Sequence, residues 1–176
     1  MLIVNTRFPA SWLILVLASK SVACAARQQE SVPETGCTVG HVSDGDSFRC
    51  SDGRRVRLIG IDSPESQQQP YGSQARQALI ALLPAGTLVR LERDVAPTDQ
   101  YGRVLAYVWT GSTLVNEAML QKGWALLYTV PPNLKYVDRL QRAQQEARDR
   151  SAGLWGERGF NCRPSDFRRN RCVSSP

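Results

Sequence analysis

Histidine is nearly missing from this chain: His41 is the only one among 176 residues. It sits in an extended segment apart from the acidic motifs described below. That placement argues against a histidine general base and against a histidine-ligated zinc site. Cys-x-x-Cys spacing is absent as well, so the five cysteines do not read as a zinc cluster. There is no internal repeat. The longest mostly apolar run, Phe8 to Ala18, is shorter than the roughly 20 residues a membrane-spanning helix requires. Charge of one sign is in short supply too: 16 acidic residues face 22 lysines and arginines, for a formal charge of +6. That excess favours an anionic partner, but it does not choose between nucleic acid, an anionic membrane surface and simple solubility.

The N-terminus has the order of an export signal. Arg7 precedes the apolar run, and small residues follow through Ser21-Val22-Ala23-Cys24-Ala25-Ala26. Cleavage after Ala23 or Ala25 is expected; an uncleaved anchor and a lipidated Cys24 are the alternatives. The mature chain then carries no transmembrane segment and ends in the periplasm or outside the cell. Removing Cys24 with the signal leaves Cys37, Cys50, Cys162 and Cys172, an even number suited to disulfides in an oxidising compartment. Cys37 and Cys50 flank an Asp-Gly turn, so a hairpin would bring them together. Cys162 and Cys172 would then staple the C-terminal tail.

The expected organisation is a signal peptide over 1–25, a polar linker over 26–36, a folded domain over 37–156 and a basic tail over 157–176. Within the domain, turns at Asp44-Gly45 and Asp52-Gly53 separate three extended segments, ending in Arg55-Val-Arg-Leu-Ile-Gly-Ile. Ala75, Ala78, Leu79, Leu82 and Leu83 form a helical stripe that Pro84 ends. Thr87–Glu92 and Val104–Trp109 read as fourth and fifth strands. A short helix spans Leu114–Lys122, closed by Gly123, and a longer one starts near Asn133 and runs toward Arg150. Trp109, Trp124 and Trp155 are assigned to the core or its edge. Five strands with an intervening helix predict an α+β fold: a small oligonucleotide-binding-type barrel covered by about three helices.

Three motifs carry the chemistry: Asp44-Gly45-Asp46-Ser47, then Arg57 through Ile61-Asp62-Ser63-Pro64-Glu65, then Asp99-Gln100-Tyr101-Gly102-Arg103. They supply carboxylates able to share a hard cation and two arginines able to hold a phosphate, the equipment for metal-assisted phosphodiester hydrolysis. Asp44 reads as a turn residue beside Gly45. Arg57 lies inside an apolar strand, where an unpaired charge is costly, so it needs a partner or a function.

From Cys37 to Trp155 the chain resembles the staphylococcal nuclease (thermonuclease) family. The matching pieces are those three motifs together with Tyr71-Gly72 and Val115-Asn116-Glu117-Ala118. The resemblance implies the barrel-with-helices fold and calcium-dependent cleavage of DNA and RNA to products bearing 3′-phosphates. Carried over by motif, Asp46 and Asp62 bind Ca²⁺ through carboxylates and Ser63 through its backbone carbonyl. Glu65 accepts a proton from the attacking water or orients it, and Arg57 and Arg103 clamp the scissile phosphate. Tyr101 and Tyr128 contact the nucleotide. Serine stands at 47 and 63 where the family often has threonine; Gln100 and Val130 replace a lysine and a tyrosine. DNA and RNA are the expected partners of a monomer that needs no stable protein partner. The rival reading is a noncatalytic nucleic-acid-binding module of the cell envelope. The arginine-rich tail lies outside the resemblance and is expected either to add salt-sensitive backbone contacts or to remain solvated.

Overall fold

A computed structural model describes residues 35–172. The expected signal peptide and most of the expected linker lie outside the described residues. Thr35 and Gly36, at the end of that linker, already belong to the first strand. Among the described residues no helix is long and apolar enough to cross a membrane.

Turn chemistry builds the first half. Strand β1 (Thr35–Asp44) turns at Gly45 into β2 (Ser47–Cys50), and Asp52-Gly53 turns the chain again into β3 (Arg55–Leu58). In the first turn the Asp44 carboxylate accepts the Asp46 N–H at 3.0 Å, and in the second Asp52 accepts the Arg54 N–H at 3.0 Å. Gly53 takes φ +89°, a conformation that side chains resist. Strand β5 (Leu88–Glu92) pairs with β1, and β6 (Val104–Thr110) pairs with β5, both antiparallel. The barrel closes where β3 lies parallel to β6, with Val56, Arg57 and Leu58 opposite Val104, Leu105 and Ala106. A two-residue strand, β7 (Thr113–Leu114), folds back on β6.

The expected third strand does not run unbroken to Ile61. Gly60 adopts φ +78°, and a Cβ there would lie 2.5 Å from the Leu140 side chain. The chain therefore leaves the barrel at Leu58. It resumes as β4 (Ile61–Asp62), which pairs with β8 (Leu126–Leu127) in a separate two-stranded ladder. This break carries Asp62 off the barrel wall.

Three helices cover the barrel. Helix α1 (Tyr71–Leu82) buries Ala75 and Leu79, α2 (Val115–Gln121) buries Val115, Met119 and Leu120, and α3 (Val137–Asp149) buries Leu140, Ala143 and Ala147. Of these, Leu79, Val115, Met119, Leu120, Leu140 and Ala143 join Val39, Phe48, Val56, Leu58, Leu91 and Val108 in one apolar core. Helix α3 begins four residues after Asn133, because the Asn133 amide is used elsewhere. It accepts the Ala96 N–H at 2.7 Å and donates to the Ala96 carbonyl at 2.9 Å, tying two loops together instead of starting a helix. After α3 a single 3₁₀ turn, Gly153–Trp155, buries Leu154. The tail then forms a short α4 (Pro164–Phe167) inside the loop closed by Cys162 and Cys172. Cys37 and Cys50 form the other disulfide, across the β1–β2 hairpin.

Candidate active site

The barrel's first turn and its exit after β3 place two acids side by side. Asp46 follows Gly45, where an added Cβ would come within 2.7 Å of the Ser63 side chain and 2.8 Å of Ala75. Glycine therefore lets the first turn press against the segment after β4. Across that contact the Ser63 N–H donates to Asp46 Oδ2 at 2.9 Å, and the Ser47 hydroxyl donates to Asp46 Oδ1, also at 2.9 Å. Asp62 arrives from β4. The two carboxylates are 6% and 3% exposed, so neither charge is left to solvent and each must be met by protein.

Arg57 meets both. Its Nη2 lies 3.1 Å from Asp46 Oδ2 and 3.3 Å from Asp62 Oδ1, so one oxygen of each acid converges on the same guanidinium nitrogen. Its Nη1 donates to the Leu58 carbonyl at 2.7 Å, which anchors the fork to its own strand. The arginine that looked costly inside an apolar strand is thus paired on two sides.

A third element completes the cluster, and nothing in the motifs announced it. Arg168, at the end of α4, grips Asp62 with both prongs: Nη1 donates to Oδ1 at 3.0 Å and Nη2 to Oδ2 at 2.9 Å. The same Nη1 pairs with Glu65 Oε1. Glu65 itself is positioned by its backbone. Its N–H donates to Gln68 Oε1 at 2.9 Å, and Gln68 Nε2 donates to the Cys162 carbonyl at 3.1 Å. Gln68 is buried and bridges the Glu65 loop to the disulfide-closed tail. Behind that loop stands Gly72, where a Cβ would fall 2.1 Å from the Glu65 carbonyl oxygen. The Tyr71-Gly72 pair therefore lets α1 pack directly on the Glu65 loop.

Electrostatics separate the acids. Burial pushes the Asp44 carboxyl up to about 7, helped by the Asp46 charge beside it. Burial acts upward on Asp46 as well, but the Arg57 charge and the Ser63 N–H outweigh it and hold that carboxyl below its usual value. For Asp62, burial prevails over the hydrogen bond from Arg168, and its carboxyl is raised. Asp44 caps its turn, in keeping with its reading as a turn residue.

Arg103 is placed by a different device. The Asp99 carboxylate accepts the Tyr101 and Arg103 N–H groups at 2.9 and 3.0 Å, with Gly102 at φ +68° between them. Arg103 Nε then pairs with Asp99 Oδ2 at 2.6 Å, and the guanidinium lies over the Tyr101 ring. So Arg103 heads β6, which runs beside β3 and Arg57, but its charge is met by Asp99 and not by the central acids. Tyr101 and Tyr128 are exposed, and the Tyr128 N–H is tied to the Gly60 carbonyl at 2.9 Å.

Among the described residues no three His, Cys, Asp or Glu side chains form a ready metal cage. What the centre offers is two buried carboxylates with oxygen donors only. That set fits a hard divalent cation which completes its shell with backbone oxygen, water and substrate.

Residues 55–157 match the family model for staphylococcal nuclease homologues. The chain is 41% identical over 125 residues to a thermonuclease of Staphylococcus intermedius, spanning 66% of this chain and 74% of that one. It is 35% identical over 161 residues to a thermonuclease of Staphylococcus hyicus, across 81% of this chain and 95% of the relative. Endonuclease YncB of Bacillus subtilis is 34% identical over 133 residues, 70% of this chain and 63% of that one.

Proposed function

The chain belongs to the staphylococcal nuclease family and is a nuclease, and from that premise we propose a calcium-dependent enzyme that hydrolyses both DNA and RNA to products with 3′-phosphates. The observation that carries this reading is the convergence of Asp46 and Asp62, both buried, on one nitrogen of Arg57. Two buried acids held that closely give a divalent cation two carboxylates to share, with the Arg57 guanidinium beside them to meet the negative charge a phosphate brings.

Asp46 and Asp62 would hold Ca²⁺ through carboxylate oxygens and Ser63 through its backbone carbonyl, and the ion would supply Lewis-acid stabilisation of the phosphate and polarise water. The remaining work falls to side chains. Glu65 takes a proton from the attacking water as its oxygen bonds to phosphorus. The bond from phosphorus to the 5′-oxygen breaks, and that oxygen leaves with a proton from solvent. Arg57 donates its fork to the non-bridging oxygens, whose charge grows in the pentacoordinate transition state. Arg103 turns from Asp99 to make the second half of the clamp. The exposed rings of Tyr101 and Tyr128 contact the nucleotide. The net positive charge, still +4 once Arg7 and Lys20 leave with residues 1–25, raises the local concentration of a polyanionic substrate. Two disulfides suit an exported monomer, periplasmic or secreted.

The test is cleavage of single-stranded DNA and of RNA by oxidised protein lacking residues 1–25, in calcium or in chelator, beside Glu65→Gln. Cleavage that needs calcium and collapses in the variant supports the reading. Folded protein that binds nucleic acid in chelator but never cuts with any divalent ion would return the noncatalytic binding module.

A further inference from the structure

The basic tail reaches the centre of the site, and its contacts there are of one kind. Both oxygens of Asp62 are bound by Arg168, and the same guanidinium holds Glu65. These are the acid assigned to the cation and the acid assigned to the water. With Arg168 seated, Asp62 is met by two guanidinium groups and Glu65 by one; with it withdrawn, Arg57 alone remains on Asp46 and Asp62. A cation approaching Asp62 meets two oxygens that are each already held by a guanidinium N–H.

We propose that Arg168 is a tethered competitor for the metal: it closes the metal-free site by occupying Asp62 and Glu65, and it must leave for a divalent cation to enter. This rests on the reading of Asp46 and Asp62 as metal ligands. Three features make the seat intramolecular and persistent. The Cys162–Cys172 disulfide closes a loop of sequence separation 10 around α4, so Arg168 cannot wander far. Pro164 is buried at the start of that helix, fixing its base. Gln68 ties the Cys162 carbonyl to the backbone of Glu65, so tail and catalytic loop share one anchor. The side chain of Arg168 is still 41% exposed, which leaves it a route out to solvent. It belongs to an autoinhibitory strap whose release is set by cation concentration. The consequence is a site that stays closed where calcium is scarce and opens where calcium is plentiful.

Occupancy of the closed form lowers apparent metal affinity by the fraction of molecules left open. A strap closed nine times in ten therefore weakens calcium binding about tenfold, the equivalent of about 1.4 kcal/mol. The experiment is calorimetric titration of Ca²⁺ into metal-free protein, with no nucleic acid present. Wild type is compared with Arg168→Ala, with Arg168→Lys and with the double variant Cys162→Ser/Cys172→Ser. Arg168→Ala should bind calcium about tenfold more tightly than wild type. Arg168→Lys, which keeps a charge but loses the two-pronged grip, should fall between them. The double serine variant, with its tail untied, should move the same way as the alanine. Equal or weaker binding by a folded Arg168→Ala overturns the strap while leaving the metal site standing. Absence of calcium binding in all four proteins overturns the strap and the metal site together.

Discussion

Replacing Asn116 by alanine should cost stability out of proportion to the few atoms removed. Asn116 is fully buried in α2 and serves three backbone groups, two on β6 and one in the turn that follows β3. Its Oδ1 accepts the Val108 N–H at 2.9 Å, while its Nδ2 donates to the Ile59 carbonyl at 2.8 Å and to the Ala106 carbonyl at 3.3 Å. The Ala106 carbonyl keeps another donor, the Ile59 N–H at 3.0 Å, so it is not orphaned by the change. The Val108 N–H and the Ile59 carbonyl are. Leaving two buried backbone groups unpaired costs about 1–3 kcal/mol each, and partial entry of water returns some of it. A net loss of about 3 kcal/mol is expected. With a urea m-value of about 2 kcal/mol/M, that moves the unfolding midpoint down by about 1.5 M with no change in slope. Asn116→Asp should do no better, since it keeps the acceptor for Val108 but turns a carboxylate on the Ile59 carbonyl. The same variant should slow DNA cleavage severalfold at unchanged KM, because Ile59 lies in the segment joining Arg57 to Asp62. A loss below about 0.5 kcal/mol for Asn116→Ala would refute the assignment of this side chain as the buttress of that segment.

Gly72→Ala should displace the Glu65 loop, since the new Cβ would sit 2.1 Å from the Glu65 carbonyl oxygen; kcat should fall by a factor of about 10 to 100, and wild-type turnover would sink the placement of Glu65. Burial raises the Glu92 carboxyl, but hydrogen bonds from Lys135, Tyr136 and Trp109 overcome it and hold it below its ordinary 4.5. Glu92 therefore contributes stability above that pH and loses it as pH falls through the depressed value. The stability gap between wild type and Glu92→Gln in urea should be present at pH 7 and shrink in acid; a gap independent of pH contradicts this. Replacing Cys37 and Cys50 together by serine releases a loop of sequence separation 13. Chain entropy sets the cost at about 3 kcal/mol, and an unchanged urea midpoint would show that the unfolded chain gains no freedom.

Local signals read well here because local chemistry built those elements. The two Asp-Gly turns, the stripe through Ala75 and Leu79 and the glycine after Lys122 each act within a few residues, and the strands and helices they bound are where periodicity puts them. Elements defined by distant partners were illegible: β4 and β8 are two residues each and exist only as each other's pair. Asn133 misled for a related reason, since its amide was a plausible helix start until Ala96, far along the chain, claimed it. The central acids were legible through the motifs, but their neutralisation was not. The motifs give Arg57 a phosphate to hold, and its second task of bridging two buried carboxylates follows only from the meeting of the β1–β2 turn, β3 and β4. Arg168 lies 106 residues beyond Asp62, in a tail with no matching motif. Three acids at one centre demand more than one counter-cation, and the tail offered arginines in a short cysteine-flanked loop with a proline able to begin a helical turn. Only the route of the chain, through the Cys162 carbonyl and Gln68 to Glu65, selects Arg168 among them.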